Sequence, residues 1–545
     1  MKLNSVLSDK KKKMIIGAAF LVLLLLQFLV LLYFGARKSG FHEDEFYSYY
    51  STNKTAGLSV SDRTWLDRDS YRNDFVVLEG EEFRYDVVKM MQSWDVHPPL
   101  YYYILHTVCS LFPGVFSKWL GISVNLIAFV PCFFLLAYLV YQSVVADDRK
   151  ESRKKGILLS FLACLAWGFS AAVVSGVMFI RMYQWLTLFV LLCACLHIRA
   201  IRKKDYGIRF LLPLGITVFL GFLTQNYYII FHFFMGVGFC FLLLREKRIR
   251  NLFSYVFSCG LGFFCAVLYY PASLSHIFRG YRGTEAVSEF SNAGNTWDRL
   301  KFFVSLFDEY VVNGTLAVII LVICLLWITV FYREKKRMEK GMGLLLFTCA
   351  GYFFTIAKTA LLLGETSNRY QLPVYGILVF LLVYFLYTPA EILINRFAGE
   401  KNRQIAPRWK KGIFLLLVAV ALFIDGAALK ETKVFFLYEE EEPIMEYAKE
   451  NRDVPVVVFY NEASPDNVWR LSDELMEFPE IYLASQGNEE RLTDEKVTES
   501  DRLLVYVADH EDKEECLHNL LQSCDRLSEY HVVAEKNLWT LYEMN

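Results

Sequence analysis

Blocks of roughly 20 apolar residues with almost no charge recur along this chain, and a helix of that length crosses about 30 Å of hydrocarbon. They run over 14–34, 116–145, 156–175, 177–198, 208–223, 225–244, 252–270, 310–332, 343–363, 371–388 and 412–430, about eleven spans in all. The apolar surplus this requires is present, with 55% hydrophobic and 16% aromatic residues in 545. A net charge of −1 argues against general nucleic-acid binding. The first block follows Lys10 to Lys13 and is followed by Ala36-Arg37-Lys38 instead of a small-residue cleavage site, so it reads as an uncleaved anchor.

Basic residues set the expected orientation. With the N-terminal lysines in the cytoplasm, each even-numbered span returns the chain there, and five such exits carry positive charge: Arg149 to Lys155, His197 to Lys204, Arg245 to Arg250, Arg333 to Lys340 and Arg396 to Lys411. The apolar run Leu100 to Phe112 is too short to span and is expected to be a juxtamembrane or re-entrant helix. From about Glu431 the pattern changes to short β-runs, Val454 to Tyr460 and Leu503 to Val507, between charged helical stretches, and Trp539 to Tyr542 reads as an edge strand. The expected architecture is a polytopic α-helical membrane module over 1–430, with long outer loops at 35–115 and 271–309. A soluble extracytoplasmic α/β domain over 431–545 follows.

On this topology the polar residues gather at outer span ends. Glu43, Asp44 and Glu45 follow the first span, and Asp95-Val96-His97-Pro98-Pro99-Leu100 ends the same loop, its prolines starting the next helix at a fixed angle. Arg181 and Tyr183 stand at the start of the fourth span, and Glu365, Arg369 and Tyr370 precede the tenth. The second long loop adds His276, Arg279, Tyr281, Arg282 and Glu285. Each has a bland reading: loop carboxylates are solvated, Arg181 snorkels to lipid phosphates, and Arg369 pairs with Glu365. Gathered on one membrane face, carboxylates and cations suit a substrate with an anionic phosphate and a reactive hydroxyl or sugar.

The acidic pair Asp44-Glu45, the Asp95 to Leu100 motif and the Arg181-x-Tyr183 and Asn368-Arg369-Tyr370 corners resemble the GT-C glycosyltransferases of the protein O-mannosyltransferase and aminoarabinose-transferase type. The resemblance is strongest over 40–200. It implies inverting transfer of a sugar from a polyprenyl-phosphate donor to an acceptor hydroxyl of a lipid, glycan or protein, at the outer face of a cell membrane, the bacterial plasma membrane in particular. By similarity Asp44 is the base and Glu45 orients the acceptor or shares that task. Asp95 and His97 shape the acceptor side. Arg181, Arg279, Arg282 and Arg369 are phosphate ligands, and Tyr183, Tyr227 and Tyr370 stack on sugar or contact prenyl chain. His97 stands where the aminoarabinose transferases carry a lysine, which leaves the sugar open. No cofactor or metal is expected, although an Asp44/His97 divalent-cation site stays open.

Two rival readings carry different signatures. A transporter or flippase shows polar or interrupted mid-span segments in related halves, whereas the charge here sits at span ends and bilayer-midplane carboxylates are essentially absent. A non-catalytic scaffold with an outer sensor domain leaves Asp44 dispensable.

Overall fold

Inside hydrocarbon a chain segment satisfies its own backbone only as a helix, so the apolar blocks dictate helices. The computed structural model describes residues 2–54, 60–145, 147, 149–331, 339–398, 406–488, 490–509, 513–536 and 538–545. Eight of its helices are long and apolar enough to cross a membrane: Lys11–Arg37, Lys118–Val144, Tyr183–Lys203, Tyr228–Arg245, Ile249–Tyr269, Lys340–Thr359, Leu372–Ala398 and Ala406–Lys430. Ile208–Thr224 is a shorter apolar helix. Two further blocks are broken: Lys150–Gly168 bends by 59° into Ala171–Met178, and Ala293–Val311 by 93° into Leu316–Val330. The chain is a multi-pass helical membrane protein with a small sheet-containing region towards its C-terminus. Most of the basic run Arg333 to Lys340 lies outside the described residues.

The sharper break has a local cause. Asn313 and Gly314 both take positive φ, 48° and 75°, and Asp308 caps the following helix by accepting from Leu316 N at 2.8 Å. The apolar run that starts at 310 therefore holds the end of helix Thr296–Val311, a turn, and a second helix Leu316–Phe331.

The chain forms two compact units. The first comprises Met1–Gly35, Gln92–Tyr101 and Ile122–Phe435; the second comprises Ala36–Met91, Tyr102–Gly121 and Phe436–Asn545. In the first, Tyr183–Lys203 is a central helix, with 72% of its apolar window buried, while Ala406–Lys430 has only 11% buried and faces outward along most of its surface. Small residues bring Ile208–Thr224 and Ile249–Tyr269 together. A side chain at Gly262 would place its Cβ 2.4 Å from the Gly215 carbonyl oxygen, and one turn earlier Ser258 Oγ donates to Leu211 O at 2.7 Å. Backbone cannot yield as a side chain can. Gly262→Leu is therefore expected to separate these helices and lower the thermal midpoint of the detergent-solubilised protein, whereas Gly260→Leu, at a position facing open space, leaves it near wild type.

The second unit is built on a six-stranded sheet of β1 (Thr64–Asp67), β2 (Val456–Tyr460), β3 (Glu480–Ser485), β4 (Leu503–Ala508), β5 (Tyr530–Lys536) and β6 (Trp539–Met544), in the order β1-β3-β2-β4-β6-β5. The centre is parallel, β2 pairing with β3 and β4, and the flanking pairs are antiparallel. β2 and β4 are buried at every residue, as a parallel centre requires, which is why they read as unbroken apolar runs. Two expectations change here. The Trp539 strand is interior, since β5 covers its outer side. The unit is also not the contiguous 431–545, because β1 comes from the first long loop and adds antiparallel to β3.

Candidate functional site

In the first unit, four places where helices stop or start converge. One is the segment Gln92–Tyr101; the others are the turn between Ala171–Met178 and Tyr183–Lys203, residue Tyr227 at the head of Tyr228–Arg245, and the 3-10 turn Gly364–Tyr370 before Leu372–Ala398. Asn125 Nδ2 fixes the second of these, donating to Phe179 O at 2.6 Å and Val177 O at 3.2 Å. Tyr270 Oη donates to His97 O at 3.3 Å, and His276 Nε2 lies 3.2 Å from Ser93 O, so the segment before the paired prolines is tethered from the end of helix Ile249–Tyr269 and from the second long loop. Helix Leu100–Ser110 starts directly after Pro98-Pro99, as those residues predict.

His97 lies between an acid and a cation. Its Nδ1 is 2.9 Å from Asp95 Oδ2, and its Nε2 is 3.2 Å from Arg181 Nη2. Burial alone would push the Asp95 carboxyl up; the adjoining His97 ring and then Arg181 outweigh it and hold the group down to about 2. Asp95 is thus anionic across the physiological range.

Arg369 stands over two rings, with Cζ 5.0 Å from the Phe179 centroid and 5.1 Å from that of Tyr370. Tyr370 meets Tyr183 and Tyr227 edge-on, each at 5.8 Å, and Tyr183 stacks on Phe179 at 6.0 Å. Both Arg181 and Arg369 act electrostatically on Tyr183. Arg181 and Arg369 are 5% and 6% exposed. Asp95, His97, Arg181, Tyr183, Tyr227, Arg369 and Tyr370 therefore form one cluster. Buried guanidiniums within an aromatic wall suit a desolvated anion such as a phosphate.

Other candidates lie apart from it. Glu365 is exposed and hydrogen-bonds Tyr310. Arg279 is exposed at the end of helix Ala272–Phe278, and the side chain of Arg282 lies outside the described residues. Phe179, Asn125 and Tyr270 carry no sequence motif and were reached only through the fold.

Asp44 and Glu45 belong to the second unit. They open helix Glu43–Asn53, whose N-cap is His42: the His42 ring accepts from Asp44 N at 3.0 Å, and Glu45 Oε2 accepts from His42 N at 2.7 Å, a capping box with histidine in the usual Ser/Thr place. The same Glu45 oxygen takes Lys38 Nζ at 2.8 Å, and both side chains are fully buried. Glu43 pairs with Arg470. Asp44, with its side chain 26% exposed, has its carboxylate 3.7 Å from His42 Nδ1. Among the described residues no three His, Cys, Asp or Glu side chains are grouped to hold a metal ion.

No protein-family model matches the chain, and no curated protein matches it. Among solved structures it is similar to ArnT from Cupriavidus metallidurans bound to undecaprenyl phosphate, with 11% identity, 95% of this chain and 97% of that chain covered, and a TM-score of 0.49. It is also similar to the archaeal oligosaccharyltransferase AglB from Archaeoglobus fulgidus, in complex with an inhibitory peptide and a dolichol-phosphate, with 10% identity, 96% of this chain and 74% of that chain covered, and a TM-score of 0.46.

Proposed function

We propose that the protein is an inverting membrane glycosyltransferase that uses a polyprenyl-phosphate sugar. The observation that carries this reading is the buried pair Arg181 and Arg369, set among Phe179, Tyr183 and Tyr370 and backed by the His97–Asp95 dyad. The motif resemblance supplies the donor class and the base. Asp44 takes the proton of the acceptor hydroxyl; the acceptor oxygen bonds to the anomeric carbon as the bond from that carbon to the phosphate oxygen breaks. The electron pair leaves with the lipid phosphate, whose growing charge the guanidiniums stabilise. With Glu45 already engaged by Lys38 and His42 N, its role in this scheme is to fix the turn that presents Asp44.

Purified full-length protein is expected to transfer a labelled sugar from a polyprenyl-phosphate donor. Each charge-assisted hydrogen bond to the phosphate is worth about 1.5–3 kcal/mol, so Arg369→Gln and Arg181→Gln are each expected to weaken binding of the lipid phosphate about ten- to a hundredfold. Wild-type affinity in both variants would refute this site for the donor.

A further inference from the structure

The segment that carries Asp44 is held by Lys118, which donates to Ala36 O and Lys38 O, by Phe116 against Phe41, and by a larger set of residues from the far end of the chain, all within the second unit. Arg37 makes a two-pronged bond to Glu439 at 2.6 and 2.7 Å. Lys38 Nζ donates to Phe436 O at 2.5 Å, and Ser39 N and Gly40 N donate to Leu437 O at 2.7 and 3.3 Å. Phe41 N donates to Asp473 Oδ2 at 2.9 Å, and Glu43 pairs with Arg470. Trp469, beside Arg470, packs on Tyr47 at 4.8 Å and Tyr50 at 4.3 Å, on the helix that Asp44 opens. The fit leaves no room at Gly40, where a Cβ would come within 2.9 Å of Tyr438 Cβ and 3.0 Å of Asp473 Oδ2.

We infer that the C-terminal region is the positioning device for the candidate base, with Arg470 and Asp473 as positioning residues that fix the Phe41–Asp44 turn. This deepens the transferase reading and rests on it for its catalytic consequence. A turn with three adjacent carboxylates repels itself, and a short linker after a membrane helix has no packing of its own. Borrowed backbone acceptors and one borrowed guanidinium remove both problems. Burial pushes the Asp473 carboxyl up to about 8, with Lys536 opposing and Glu474 and Glu441 reinforcing the rise. Asparagine at this position keeps an oxygen that can accept from Phe41 N.

The test uses full-length protein in detergent, reading amide hydrogen exchange of peptide 37–47 together with kcat and lipid-donor affinity. Arg470→Gln and Asp473→Leu should raise exchange in that peptide about tenfold or more while β2, β4 and β6 keep their protection. They should lower kcat about ten- to a hundredfold with donor affinity unchanged. Arg470→Lys and Asp473→Asn, which keep a cation and an acceptor, should stay near wild type in both readouts. Unchanged exchange in Arg470→Gln and Asp473→Leu overturns the anchoring, and raised exchange with unchanged kcat overturns its catalytic meaning. A wild type without sugar transfer sinks the transferase reading instead, and the exchange data then decide the anchoring alone.

Discussion

Asp44→Asn is expected to lower kcat about 10²–10⁴-fold, the usual contribution of a positioned general base, while leaving lipid-donor affinity and thermal stability near wild type. The substitution is nearly isosteric, and the capping bond at this position runs from the Asp44 backbone N–H to His42, so the helix start survives. What is lost is the anionic oxygen able to take a proton. Donor binding is assigned to the guanidiniums, so kcat and affinity should separate. Full turnover in Asp44→Asn would remove the carboxylate from the mechanism and favour the scaffold reading.

Lys38→Met should be the most destabilising single change in the second unit, at about 3–5 kcal/mol, the usual cost of leaving one partner of a buried ion pair unmatched. Lys38 and Glu45 are both inaccessible to solvent, and Lys38 also satisfies Phe436 O. Removing the ammonium takes the Lys38 charge away from the buried Glu45 carboxylate, to which the His42 amide still donates. The double variant Lys38→Met/Glu45→Gln should recover most of the loss, because a neutral amide still caps His42 N and no charge stays buried. Thermal melting in detergent reads both. A Lys38→Met protein as stable as wild type would mean that this pair is not sealed from water.

Hydropathy made the membrane helices legible because apolar length is a one-dimensional signal, and it hid their breaks for the same reason. The run through Gly168 to Ala171 stays apolar while the backbone bends. Asn313-Gly314 is a turn dipeptide that announces the other break, and reading it would have moved the helix start to Leu316. In the sheet, β2 and β4 were visible as unbroken β-branched and aromatic runs, whereas β1 has four residues and β5, largely exposed, has no clear apolar alternation. Arg181, His97, Asp95 and Arg369 could be nominated from residue type and position at helix ends. Their companions Phe179 and Asn125 could not, since an aromatic and an amide inside apolar stretches look like ordinary core. The Glu43–Arg470 pair leaves no trace in the sequence, because nothing local marks two charges more than 400 residues apart as partners.

The strand contributed by the first long loop also imposes an order of events during synthesis. Arg68, which follows β1 directly, meets the carbonyl of Phe478 at 3.1 Å across 410 residues of chain. At about 5–20 residues per second, ribosomal elongation keeps the early strand waiting on the order of a minute for its partner. During that interval its edge is open to mispairing, and a chain truncated before β3 would carry its membrane helices but leave β1 without the strand it pairs with.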